Sequence, residues 1–310
     1  MRKLWKYSLL MAGVLTAAVA AQQIAQEPGQ GIFYRVSGGK SEMFLLGSIH
    51  VGNKEMYPMC AAIQKALRNA DTLVFECDTT SQEAQAMTAQ MMQNDKPLSA
   101  CISSDCYEQL QKAACELGCS MASFEQMKPW AVTSTLTVAA AAREMESGSS
   151  RAASALGVEN MVRRQADGKE IAYLETAAEQ LGLMENFSPA LQEYLLESAC
   201  KAILEPENVT GTDGDIDLWP DWWRDGNAQA FAASYTNGLS KEASPELARE
   251  YHAALMTTRN RQMAQKLCNM LESENHSYVV TVGLMHLVLP EDSIIRELQS
   301  MGYTVEQIVQ

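Results

Sequence analysis

The feature that most limits how this chain can fold is a short pattern that occurs twice, near its two ends. Phe44–Gly52 reads FLLGSIHVG and Val279–Val288 reads VVTVGLMHLV. In each, an apolar run stops at a glycine and a histidine follows three residues later: Gly47 before His50, Gly283 before His286. Short apolar, β-prone runs read as buried strands, and in open α/β sheets the functional crevice lies beyond the carboxyl ends of such strands. The chain has only four histidines and glycine makes up about 7% of average sequence, so the repeated spacing is informative. The surroundings repeat as well. After His50 come Pro58, a helical pattern over Met59–Asn69 and a strand over Thr72–Cys77; after His286 come Pro290, a helical pattern over Asp292–Met301 and a strand over Tyr303–Ile308. Two related strand-GxxH-helix-strand halves predict an α/β fold with one central sheet system. The halves are expected to pair about a pseudo-twofold axis, with a large, mainly helical region between them.

Two more strand exits carry acidic residues. Asp71–Asp78, DTLVFECD, reads as a buried strand with Glu76 among apolar neighbours, where a carboxylate is costly unless a cation meets it. Glu170–Leu174 reads as a short strand released at Glu175-Thr176, with a helix over Ala177–Met184. Gly157-Val158-Glu159 leads into another helix. Upstream, Ile32–Val36 and Glu42–Leu46 flank Ser37-Gly38-Gly39-Lys40, a hairpin signature. The GGKS there is not a phosphate loop, because Tyr34 stands where that motif needs its first glycine.

The middle region reads as helices over Ser81–Gln93, Ser103–Leu117, Trp130–Glu146, from the cap Ser188 to Leu204, and over Ser244–Leu271. The last carries His252 and Arg259-Asn260-Arg261. His252 and the loop residue His276 lack a strand-end setting and are expected on the surface. Asp213–Asp225 mixes carboxylates with three tryptophans, but Leu218 and Arg224 occupy the positions where a calcium loop needs glycine and glutamate. It reads as a helix packed through Trp219, Trp222 and Trp223.

The first residues, MRKLWK, are basic, Tyr7–Ala20 are almost wholly apolar, and Ala18-Val19-Ala20 offers small residues for cleavage. Residues 1–21 are expected to be a signal peptide, cut after Ala20 or Ala21, leaving 22–310 as a single domain with a helical insertion at about 81–270. No later apolar run reaches the ~18 residues that a membrane span needs. The mature chain is therefore expected to be secreted or periplasmic, with no stable membrane association. Losing Arg2, Lys3 and Lys6 takes the formal charge from −14 to −17, which repels nucleic acid and anionic lipid and argues against either as partner.

All eight cysteines follow the leader. Cys101, Cys106, Cys115 and Cys119 are spaced by five, nine and four residues, without the paired CxxC of a zinc knuckle. In an exported chain such a cluster predicts a disulfide-braced helical hairpin. Free buried thiols and a metal site are the alternatives.

Seven pieces in order resemble the TraB/GumN family, related to the animal Tiki proteases. They are Leu45–His50 with Tyr57-Pro58, Asp71–Glu76, Lys128-Pro129-Trp130, Gly157-Val158-Glu159, Leu174-Glu175-Thr176 with Gln180, Arg259-Asn260-Arg261 with Met263, and Val282–Leu287. The resemblance covers nearly the whole mature chain, to the closing Gly302–Val305. Leu284-Met285 depart from the small residues usual inside the second GxxH. What the resemblance implies is one cleft where His50, Glu76 and His286 hold a divalent metal ion (Mn, Co or Zn), and metal-dependent cleavage of a peptide or protein substrate, as in Tiki proteins. Two imidazoles and a carboxylate suffice for a hydrolytic metal that keeps a position open for water. Glu159 and Glu175 are then candidate general bases, and Arg259 or Asn260 candidates to hold the substrate carbonyl or its oxyanion. Two other readings stay open: peptide binding without cleavage, as in TraB proteins associated with shutting down a peptide pheromone, and metal-free hydrolysis with His50 as base.

Overall fold

A computed structural model describes residues 27–78, 80–146, 154–205, 218–242 and 244–309. The expected leader and the glycine-serine break at Gly148-Ser149-Ser150 lie outside the described residues. Among the described residues no helix is long and apolar enough to cross a membrane.

The fold is α/β, as the two halves predict. Strand β1 (Phe33–Ser37) turns at Gly38, φ 110°, into the antiparallel β2 (Glu42–Ser48). Helix α1 (Ala61–Asn69) follows, and then β3 (Thr72–Phe75), whose four residues are all buried. The insertion brings α2 (Gln82–Met91), α3 (Ser104–Glu116) and α4 (Pro129–Glu146), with Ser81 and Ser103 accepting the first free N–H groups of α2 and α3 as caps. After α5 (Val158–Arg163) come β4 (Glu170–Tyr173), α6 (Ala177–Glu185) and α7 (Pro189–Leu204). Helices α8 (Trp219–Arg224), α9 (Ala228–Glu242), α10 (Pro245–His252) and α11 (Thr258–Leu271) lead to β5 (Ser277–Gly283). The chain closes with the short α12 (Met285–Val288), α13 (Ile294–Ser300) and β6 (Thr304–Gln307).

The six strands form one sheet in the order β4-β3-β5-β2-β1-β6. Strand β5 pairs in parallel with β2 on one side and β3 on the other, and β3 pairs in parallel with β4. Because β6 and β2 both lie antiparallel to β1, every strand except β1 runs the same way. The two GxxH units thus lie side by side and parallel, Ser48 opposite Gly283. Their crossovers leave in opposite directions, from β2 over β5 to β3 and from β5 over β2 and β1 to β6. Such a reversal opens a crevice at the carboxyl ends of the two strands.

One core surrounds the sheet, and a second lies within the insertion, where Cys106, Leu110 and Ala113 of α3 meet Val132 and Leu136 of α4 and Leu196, Cys200 and Ile203 of α7. The tryptophan segment packs as expected: Trp219 and Trp222 lie edge-on to Phe231, and Trp223 is fully buried with its indole N–H donating to the Gly47 carbonyl at 2.8 Å. Two expectations are corrected. All eight cysteines are free thiols, so no disulfide braces the hairpin. Nine residues of helix turn Cys115 to the face opposite Cys106; Cys106 is buried in the second core, while Cys115 and Cys119 are exposed. His276 is not a free surface residue either, since its Nε2 lies 2.7 Å from Thr72 Oγ1 and its ring packs on Tyr278 at 4.5 Å.

Candidate functional site

Four parallel strands end along one edge of the sheet, and each releases a residue singled out above: β4 before Glu175, β3 before Glu76, β5 before the His286 turn, and β2 before His50. Strand β5 enters between β2 and β3, which brings the C-terminal GxxH beside Glu76, 207 residues earlier than Gly283.

Glu76 and Glu175 face one guanidinium. Arg259 donates from Nε to Glu175 Oε1 at 2.9 Å and from Nη2 to Glu175 Oε2 at 2.6 Å, and the same Nη2 reaches Glu76 Oε2 at 2.9 Å. The side chain of Gln180 donates to both carboxylates, at 3.2 Å and 3.0 Å, and the Cys77 thiol donates to its amide oxygen at 2.9 Å, fixing which way the amide points. Gly283 N–H completes the set by donating to Glu76 Oε1. Burial works against the ionised Glu76, but the attraction of His286 and Arg259 and the Gly283 N–H outweigh it and hold the carboxyl below its ordinary range. Burial likewise works against the charged Arg259, and its two carboxylates overcome it, so it stays protonated.

Helix α11 supplies Arg259 and Asn260 just after a π-helical turn at Ala253–Thr257, the kind of bulge that recurs at functional sites. Asn260 is fully buried; its Nδ2 donates to the Asp292 carbonyl at 2.7 Å, so its Oδ1 must accept from His286 Nδ1–H at 2.6 Å. That assignment leaves Nε2 of His286 with a bare lone pair, 3.8 Å from Glu76 Oε1. Burial pushes His286 down to about 4, so the ring is neutral at ordinary pH. The site then holds two carboxylates, one guanidinium and no other charge from these groups, a net of one negative charge.

The remaining candidates are placed differently. His50 sits at the neighbouring strand end with its residue exposed, and its carbonyl is covered by Gly157, where a Cβ would come within 2.5 Å of that oxygen. Among the described residues, His50, Glu76 and His286 do not bring three ligand atoms within 4.8 Å of one another. Glu159 is held by Arg163 at 2.9 Å, and Arg163 stacks on Phe75 at 4.1 Å and donates to the Cys77 carbonyl. Both candidate bases are therefore committed to an arginine.

The family model of the TraB/PrgY/gumN family matches residues 32–307. The chain belongs to that family. Among curated proteins it is similar to the uncharacterized protein YbaP of Escherichia coli (strain K12), 23% identical over 253 residues, covering 80% of this chain and 85% of that one. The YbaP of Shigella flexneri matches to the same extent. No solved structure matches the chain significantly.

In this TraB/PrgY/gumN chain the residues that sequence reasoning missed are those whose role is to hold others. Cys77 read only as one cysteine of eight, and Asp292 as the start of a helical pattern. His252, expected on the surface, is half-buried: its Nε2 meets Asp292 Oδ2 at 3.1 Å and its Nδ1 meets the Tyr235 hydroxyl at 3.2 Å, while Thr257 also donates to Asp292. The only local signal was the Thr176…Glu179 capping box, which starts α6 so that Gln180 faces back across the strand ends.

Proposed function

We propose that this protein is an exported metal-dependent hydrolase, with a peptide or protein as the substrate class its family resemblance implies. The observation that carries the reading is the bare Nε2 of His286 facing Glu76 Oε1 at 3.8 Å, with the other ring nitrogen held by Asn260. In chemistry, though not in mutual distance, since the three ligand atoms do not all lie within 4.8 Å of one another, the donor set suits a divalent cation. Glu76 Oε1 and His286 Nε2 would be two ligands, and His50, at the adjoining strand end, the third. A histidine ligand that donates its other nitrogen to an outer partner is a recurring arrangement, and here Asn260 is that partner. When bound, such a cation lowers the pKa of a water and polarises a carbonyl.

The protein's own residues divide the remaining tasks. Asn260 and Asp292 hold the tautomer of His286. Arg259 holds Glu76 and Glu175 together and keeps Glu76 ionised and acceptor-only, while Gln180, steadied by Cys77, spaces the two carboxylates. Glu175 and Glu159, each held by an arginine, act here as positioning residues. In the metal-free alternative, the exposed His50 would instead be the base at the strand ends.

The test is cleavage of a diverse peptide library by purified mature protein with Mn²⁺, Co²⁺ or Zn²⁺, with and without chelator, alongside bound-metal analysis. Chelator-sensitive cleavage lost in His286→Ala and His50→Ala supports the proposal. Cleavage that survives chelation but not His50→Ala replaces it with a metal-free base. The absence of both cleavage and bound metal points to peptide binding.

A further inference from the structure

Away from the strand ends, one cluster has a donor set with no internal balance. On α7, Glu193, Glu197 and Cys200 follow at intervals of four and three and share a face, and that face packs against Cys106 of α3. One Cys106 sulfur, one Glu193 oxygen and one Glu197 oxygen all lie within 4.8 Å of one another. Cys106 is 0% exposed and its thiol has no hydrogen-bond partner among the described residues. The two glutamates are half-buried, and their one hydrogen bond on this side is from Ser103 N–H to Glu193 Oε1 at 3.2 Å. Among the described residues no lysine, arginine or histidine pairs with either. Two like charges one helical turn apart repel each other, and here they do so against a buried sulfur.

We propose that Cys106, Glu193 and Glu197 form a second metal site, separate from the strand-end crevice, that takes a borderline-soft divalent cation of the zinc class and ties α3 to α7. One thiolate and two carboxylates suit zinc in charge and softness, and leave a fourth position for water or for Cys200. Burial, then the charges of Glu193, Cys200 and Glu197, pushes the Cys106 thiol up to about 12, so without a cation the sulfur is protonated. On binding, the S–H bond breaks, the S–metal bond forms with the sulfur lone pair, and the proton leaves to solvent. No electron is transferred. The site is structural: it lies in the second core and stiffens the insertion that delivers β4 and Glu175.

The experiment uses the mature chain with His286→Ala, which removes the crevice site, and with Cys115→Ser and Cys119→Ser, which remove the exposed thiols. Zinc is titrated against a chromophoric chelator, and cobalt is used as a spectroscopic probe. One equivalent of zinc, a thiolate-to-cobalt charge-transfer band and a rise in Tm are expected. Cys106→Ser should abolish the band, and Glu197→Gln, at a half-exposed position where misfolding is not the concern, should weaken zinc by roughly tenfold or more. Failure of the background chain to bind zinc would overturn the proposal, as would an unchanged affinity in Glu197→Gln. Because His286 is absent throughout, neither result depends on the function proposed for the crevice.

Discussion

Gly283 and Glu76 meet backbone to side chain: the glycine N–H donates to Glu76 Oε1, and a Cβ on Gly283 would sit 3.0 Å from that same oxygen. The carboxylate, held by Arg259 and Gln180, has little freedom to retreat. Gly283→Ala is therefore expected to shift Glu76 at a modest cost in Tm and to lower turnover in the proposed hydrolysis by up to about 100-fold, the scale of a 1 Å misplacement. Gly47, the equivalent residue of the other motif, behaves differently. Its Cβ would meet the buried Leu284 Cδ1 at 2.4 Å, so Gly47→Ala should cost about 1–3 kcal/mol by overpacking. Thermal melts and kcat of the two variants side by side check both; equal behaviour would contradict this account.

Acid should destabilise the protein through His286. In the unfolded chain its ordinary value is 6.5, and in the fold burial takes it down to about 4. Between those values the unfolded chain holds a proton that the fold excludes, so stability rises with pH across the window and is lost as pH falls from about 6.5 towards 4. The full step is on the order of 3 kcal/mol. Glu76, held below its ordinary value, adds a loss of the same sign at lower pH. Urea midpoints from pH 7 to 4 should show this slope, and His286→Asn should flatten it.

The two acidic candidates should separate in stability. Glu175→Gln removes one partner of a buried pair with Arg259 and is expected to cost about 3 kcal/mol, with Arg259 left on Glu76 alone. Glu159→Gln breaks a helical i, i+4 pair whose side chains are 25% and 16% exposed, and should cost about 1 kcal/mol or less. Chemical denaturation of both variants tests the ordering.

Thiol counting tests the free-cysteine arrangement. Unreduced, unfolded protein should titrate as eight thiols. In the native fold Cys115 and Cys119 should react first, and Cys60, Cys77, Cys106 and Cys200, all buried, last. Fewer than eight in the unfolded sample would show that a bridge forms after all.

Much of this was legible in the chain. Local rules located the hairpin, the two strands that stop at a glycine, the short strands at Glu76 and before Glu175 to within two or three residues, and the serine caps, because each depends on neighbours in sequence. The motif order pointed to Glu76, Glu175, Arg259, Asn260 and His286, which the fold brings together. Partner choice was not legible. Nothing near Glu175 says that Arg259 holds it, nothing near Trp223 says that its N–H serves Gly47, and a histidine at position 252 looks exposed until α13 delivers Asp292 just ahead of it. The cysteine cluster misled because its spacing suits a hairpin brace, while helical rotation sends Cys106 inward and Cys115 outward.

The place of β5 sets when the site comes into existence. Until Ser277–Gly283 is made, β2 and β3 have no partner between them, and the crevice lacks its central strand, the Gly283 N–H and His286. A chain emerging from the ribosome carries Glu76, Glu175 and Arg259 long before it can assemble them around that strand. The crevice is thus completed only by the last few dozen residues, and any fragment that ends before position 277 lacks its middle wall.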